Sequence, residues 1–151
     1  DVPRFLSLCG GDLRKWKLAF LVLAFYPGIP SLFYGDEKGI EGIREFAYLS
    51  PMKWEEGDET AAFVKEVLQI RKKFIKSSMK TRLYVSENHA NLLILERSGE
   101  NEAVEIRMNT GRDLYFLEEQ EELTDLYGEG NIKGGIGAFG FMISHRKGTS
   151  D

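Results

Sequence analysis

One cysteine, Cys9, is all this 151-residue chain carries, which excludes an internal disulfide framework and any cysteine-rich zinc site. It has only two histidines, His89 and His145, too few for a metal centre built on imidazole. Concentrated positive charge is also missing. The net charge is −4, which argues against a nucleic-acid surface or an anionic membrane as partner. The longest apolar run, Leu18 to Tyr26, falls short of the roughly 20 residues that span a bilayer. No cationic stretch precedes an early apolar segment, so no signal peptide is expected and the cytoplasm is the expected compartment. Cys9 lies among Leu6, Leu8 and Gly10 and reads as a packed thiol.

With 42% hydrophobic and 29% charged residues, the chain is globular rather than disordered. Its two halves follow different patterns. Residues 1–80 read as helix, short strand and helix. Gly10-Gly11 breaks the chain and Asp12 is a candidate N-cap for a helix reaching Phe25. Leu13 and Trp16 oppose Arg14, Lys15 and Lys17. From Leu18 onward the helix is apolar on every side, the pattern of burial by several neighbours. Pro27-Gly28 ends it. Ser31–Tyr34 reads as a short apolar strand, and 38–57 as loop. A second helix is expected from Asp58 or Glu59 to about Lys76, with Phe63, Val67, Ile70 and Phe74 at helical spacing. Acids at its start and Lys72, Lys73 and Lys76 at its end suit the helix dipole.

After Lys80 the period becomes two. Strands are expected at Leu83–Val85, Leu92–Glu96, Ala103–Met108, Asp113–Leu117, Glu122–Asp125 and Ala138–Ser144. Val104, Ile106 and Met108 alternate with Glu105 and Arg107, which predicts one wet face. This half, 81–147, reads as a small antiparallel sheet or β-sandwich, and 148–151 as a frayed tail. The acidic cluster of Glu118, Glu119, Glu121 and Glu122 reads as a solvated turn rather than a cation site. His89 and His145 read as surface or partly packed, Trp16 as core, and Trp54 as a loop anchor.

Several motifs stand in a telling order. The chain opens Asp1-Val2-Pro3-Arg4, then reads Tyr26-Pro27-Gly28-Ile29-Pro30 and Phe33-Tyr34-Gly35-Asp36-Glu37. Pro51-Met52-Lys53-Trp54, Ile70-Arg71-Lys72-Lys73, Asp125-Leu126-Tyr127-Gly128-Glu129 and Phe139-Gly140-Phe141 follow. Together they resemble the C-terminal part of an α-amylase-family glycoside hydrolase, of the neopullulanase and cyclomaltodextrinase branch. The resemblance implies the last βα units of a (β/α)8 barrel over 1–80, incomplete here, followed by the C-terminal β-domain. It implies a retaining hydrolase of α-1,4-glucans, which needs a nucleophilic carboxylate, an acid/base carboxylate and a third, stabilising one. Asp1 occupies the position of that third carboxylate, and Arg4 lies near the same pocket as a substrate-binding residue. Two departures stand out: Val2 replaces the usual threonine, and Leu49-Ser50 stands where arginines precede Pro51.

The nucleophile and the acid/base are not in the chain, so the chain alone is expected to be inactive. Asp36 and Glu37 read as structural or outer-rim groups. No cofactor is expected, although the resemblance allows a calcium ion in the full-length parent. The expected partners are an α-glucan, the remainder of its own barrel, and a second copy through the apolar barrel face. The competing reading is a non-catalytic glycan-binding or interaction module in the β half. Tyr84, Tyr115, Phe116, Phe139 and Phe141 form no obvious row there, and Phe139 and Phe141 share a face that reads as core.

Overall fold

Two glycines in the left-handed region, Gly10 (φ 67°) and Gly11 (φ 75°), turn the chain out of a short helix, α1 (Phe5–Leu8). The Asp12 carboxylate then accepts the Arg14 backbone N–H at 3.0 Å and caps α2 (Leu13–Phe25). In this computed structural model, residues 2–45, 49–117, 123–132 and 134–148 are described. The Arg14 guanidinium also bonds that carboxylate and holds its pKa down at about 2. After α2 come a single 3-10 turn (Asp36–Lys38) and α3 (Asp58–Phe74).

Six strands follow: β1 (Lys80–Ser86), β2 (His89–Ser98), β3 (Glu102–Asn109), β4 (Tyr115–Phe116), β5 (Leu123–Ile132) and β6 (Gly135–Lys147). Every pairing is antiparallel, in the order β1-β2-β3-β6. β6 takes β3 along Phe141–Lys147, β4 at Gly135–Ile136, and β5 on its other edge. Of the two arrangements expected, sheet or sandwich, the described strands form a single sheet. The reason is the 13-residue length of β6, which gives three strands a ladder on one element, while helices rather than a second sheet cover the apolar face.

That face carries Leu95, Val104, Ile106, Met108, Phe141 and Ile143, all buried in one cluster with Leu21, Phe25, Phe63 and Val67. Phe63 of α3 is the hub. It meets Phe20 of α2 at 5.7 Å and Phe141 of β6 at 5.8 Å, edge to face. Trp16 stacks on Phe20 at 5.4 Å. The opposite face is polar but not bare, since Arg107 is buried in an ion pair with Glu105. Phe139, at φ 54°, packs partly buried against the same cluster as Phe141, with Arg14 and Lys15 of α2 over its ring.

Two sequence expectations fail here. Lys17, expected on the wet side of α2, is only 5% exposed. It is ion-paired to Glu129 at 2.6 Å and Glu59 at 3.1 Å, and lies 5.2 Å from the Phe63 ring centre. Burial depresses its pKa, but the two glutamates together outweigh this and raise it. Ser31–Tyr34 is not a strand. A barrel strand becomes a strand only through ladders to its neighbours, and no other described strand lies in residues 2–75.

Helix α2 ends on carbonyls that lack helical partners. Arg97 of β2 donates to Phe25 O (2.8 Å), Lys76 O (3.3 Å) and Met79 O (3.4 Å). Arg71 of α3 donates to Ala24 O, Tyr26 O (3.4 Å) and Gly28 O (2.6 Å). Replacing Arg97 with Met keeps the bulk but leaves buried carbonyls unpaired. Arg97→Met should destabilise the chain by about 2–3 kcal/mol, read as a lower urea midpoint at constant slope. Arg97→Lys should recover part of that loss.

Candidate functional site

The site grows from the corner at Tyr34-Gly35. Gly35 has φ 86°, and a Cβ there would lie 2.6 Å from the Ile40 side chain, so only glycine fits. Its N–H donates to the Glu37 carboxylate at 2.9 Å, and Ile40 N–H donates back to Gly35 O at 3.0 Å. The Tyr-Gly-x-Glu pattern is thus a self-closed turn in which Glu37 serves the backbone. Asp36, projecting from the 3-10 turn, is left to reach outward.

Arg4 meets it. The residue is 4% exposed, and its Nη1 donates to Tyr34 O at 2.8 Å and to Asp36 Oδ1 at 3.0 Å. The guanidinium lies 4.9 Å from the Phe33 ring centre and 5.0 Å from that of Tyr34. Its Nε and Nη2 are buried without a partner among the described residues. The backbone beneath is pinned as well: Arg4 N–H donates to Gly42 O (2.9 Å), and Gly42 N–H donates to Ser7 Oγ (2.8 Å). Burial pushes the Asp36 carboxyl above its usual range, with Arg4 pulling the other way. Asp36 also lines a cavity of about 330 Å³ whose other walls are apolar: Phe5, Trp16, Ala19, Phe20, Leu23 and Leu32.

A second loop closes over the corner. Tyr34 Oη donates to Ser50 O at 3.0 Å. Lys38 Nζ donates to Trp54 O at 3.2 Å and pairs with Asp58 at 2.8 Å. Gly57, at φ 73°, packs so tightly on the Lys38 carbonyl that a Cβ would overlap it.

Asp1 lies outside the described residues, as does the acidic cluster of Glu118, Glu119, Glu121 and Glu122. Arg4 is brought together with Tyr34 and Asp36. His89 is exposed and edge-on to Tyr115 at 4.3 Å. His145 is buried against Phe74 and 3.3 Å from Glu102. Cys9 is half-buried, and that burial raises its thiol pKa. Trp16 is core, as its spacing predicts, while Trp54 is 76% exposed, with its backbone carbonyl held by Lys38. Among the described residues no group of three or more His, Cys, Asp or Glu side chains could hold a metal ion, and no helix is long and apolar enough to cross a membrane. The Asp36 partnership escaped the sequence reading because Arg4 and Asp36, 32 positions apart, leave no local spacing to read.

No family model matches the chain. Among curated proteins it is 32% identical over 113 residues to neopullulanase 2 of Thermoactinomyces vulgaris, covering 72% of this chain and 19% of that one. It is 31% identical over 117 residues to a cyclomaltodextrinase of Geobacillus thermopakistaniensis, covering 75% and 20%. The chain thus spans about a fifth of the length of these relatives. Among solved structures, the maltogenic amylase from S. marinus superposes with a TM-score of 0.76 at 24% identity, over 98% of this chain and 22% of that one. An Anoxybacillus α-amylase does so with 0.79 at 19%, over 100% and 37%. At these identities the structural matches speak for the fold alone.

The Asp36 shift has a testable sign. A carboxyl whose folded pKa is raised contributes stability below its unfolded pKa and loses it as pH rises through the folded value. The stability of the wild type relative to Asp36→Asn should therefore fall as pH rises through the Asp36 titration, then level off. Urea midpoints between about pH 3 and about pH 7 check this. The opposite slope would mean that the Arg4 pairing outweighs burial.

Proposed function

The chain belongs to the α-amylase family of glycoside hydrolases, in its neopullulanase and cyclomaltodextrinase branch, and from this membership we propose that it is the closing part of a retaining enzyme acting on α-1,4-glucans. Residues 1–80 are the end of the catalytic barrel, 81–147 the C-terminal β-domain and 148–151 a tail. The observation that carries this reading is the Arg4 bridge. It ties the opening Asp-x-Pro-Arg motif to the Tyr-Gly-x-Glu corner, two segments 30 residues apart.

In the eight-stranded barrel of such enzymes, chemistry gathers at the C-terminal ends of strands. Tyr34-Gly35 is such an end in this reading. Asp1 is the third carboxylate. It accepts hydrogen bonds from sugar hydroxyls, and those bonds strengthen as the ring distorts towards the oxocarbenium-like transition state. Arg4 borders the same pocket, its charge facing the anionic groups that the reaction requires. The chain's own residues bring no cofactor, and the cytoplasm is its compartment.

Neither nucleophile nor acid/base is present, so the isolated chain should give no turnover of maltooligosaccharide, cyclodextrin or pullulan. Rates above background would overturn this. In the longer enzyme, extended upstream from Asp1, product should keep its anomeric configuration by NMR. Asp1→Asn there should cut kcat about a hundred- to a thousandfold.

The apolar surface supports the same reading. Phe5, Leu23, Tyr26, Ile29, Phe33 and Tyr34 are all exposed, Ile29 to 96%. The rest of the barrel is the cover we propose for them. Without it, the chain should self-associate, because contiguous apolar patches of this kind are rare on monomers. Sedimentation showing a monomer that binds no ANS would count against it.

A further inference from the structure

We propose that Arg4 is a positioning residue: its Nε and Nη2 grip a carboxylate of the longer enzyme side-on and aim it, and the guanidinium does not itself touch the sugar. The proposal rests on the reading of the chain as the end of a catalytic barrel and names the partner that its Arg4 site takes.

A guanidinium offers five N–H donors and no acceptor. At Arg4 only Nη1 is engaged, with Tyr34 O and Asp36 Oδ1. The Phe33 and Tyr34 ring centres lie 4.9 and 5.0 Å from its Cζ and supply no lone pair. Nε and Nη2 are both buried and without a partner among the described residues. Donors of a charged group buried in this way lose their hydration with nothing in return, so the site lacks an acceptor.

Nε–H and one Nη2–H point the same way, along one edge of the guanidinium. That edge matches the two oxygens of a carboxylate. Arg14 uses the same edge on Asp12, with Nε donating to Oδ1 at 3.0 Å and Nη2 to Oδ2 at 2.8 Å. Arg97, the other arginine with an orphaned nitrogen among the described residues, lacks a partner only at Nε and offers no fork.

Charge points to the same partner. Burial raises the Asp36 carboxyl pKa despite the pull of Arg4, so Asp36 is a reluctant counter-ion. A buried cation held by one such acid favours a second anion. A sugar fits poorly, because its hydroxyls carry no charge and the Arg4 side chain is 2% exposed, which leaves an exchanging substrate no route to the edge. A carboxylate built into the protein needs no route. The backbone beneath is fixed to hold it, with Arg4 N–H on Gly42 O and Gly42 N–H on Ser7 Oγ. Two sources exist: Asp1, earlier in the same motif, and an acid in the portion that precedes Asp1.

The test uses the longer enzyme with nitrogen-labelled arginine, and Arg4→Lys identifies the Arg4 resonances. A bidentate carboxylate stops rotation at Nη2, so its two protons should be resolved, with Nε–H moved downfield by the charged acceptor. Rotation-averaged Nη2 protons overturn the proposal. An Nε–H at its ordinary position marks a neutral acceptor and does the same. Asp1→Asn separates the sources: a fork that opens names Asp1, and one that stays closed with a downfield Nε–H names the upstream acid.

In turnover, Arg4→Lys keeps the charge and loses the fork. Its kcat should fall about tenfold, while KM stays within about twofold. An unchanged kcat overturns the proposal, as does a KM that rises as far as kcat falls, since that would mean direct contact with the sugar. The spectra do not depend on turnover. A closed fork in an inactive enzyme sinks only the hydrolase reading, while an open fork in an active enzyme sinks only the positioning role.

Discussion

Everything in this chain hangs on the last turn of α2. An α-helix leaves its final carbonyls without intrahelical partners, and the one at Phe25 is sealed in the core, where a residue 0% exposed has no water to turn to. Two guanidiniums supply the missing donors. Arg71 comes from α3 and Arg97 from β2, so one helix end is gripped from both the helical and the β half. Cations also suit the negative end of the helix dipole. Arg97 nonetheless sits where burial opposes its charge and lowers its pKa, so the carbonyls offset part of a real desolvation cost. This contact makes two differently patterned halves share one core.

With that end fixed, α2 faces two ways. Its inner side carries Leu21, Ala24 and Phe25 against the sheet and α3, and Lys17 closes the far end through Glu59 and Glu129. Breaking such a buried pair by removing one partner is costlier than the pair is stabilising, so Lys17 restricts how α2, α3 and β5 can rearrange. The outer side, with Ala19 and Leu23, opens onto the cavity shared with Phe5 and Leu32. Leu32, in a segment that forms no strand, lines the same cavity.

Local chemistry was legible in the sequence, and long-range pairing was not. The Asp12 cap, the stop at Pro27, both long helices and all six strands follow from spacing and breakers within a few residues. Apart from β4, which shrinks to Tyr115–Phe116, the observed strands run longer than the alternation suggests, because ladders extend past the apolar residues into polar ends such as Lys80 and Lys147. Periodicity reports which face a residue occupies, not what lies opposite. Lys17 therefore looked wet, although two acids wait for it 42 and 112 residues away. The choice between sheet and sandwich was hidden for the same reason, since no pattern within β6 says that it will serve three partners. At the candidate site Arg4 was found through its motif and Asp36 was not recognised as its partner.

The corner at Tyr34-Gly35 shows what a family signature consists of. Gly35 is there because Ile40 leaves no room for a Cβ, and Glu37 because the Gly35 N–H needs an acceptor. Tyr34 is held at its carbonyl by Arg4 and at its hydroxyl by Ser50. These recognisable letters are scaffold, holding one another in place. Other groups keep something unspent. Arg4 keeps two buried nitrogens without partners among the described residues, and Asp36 carries a carboxyl that burial disfavours as an anion. The turn is the scaffold on which Arg4 and Asp36 meet.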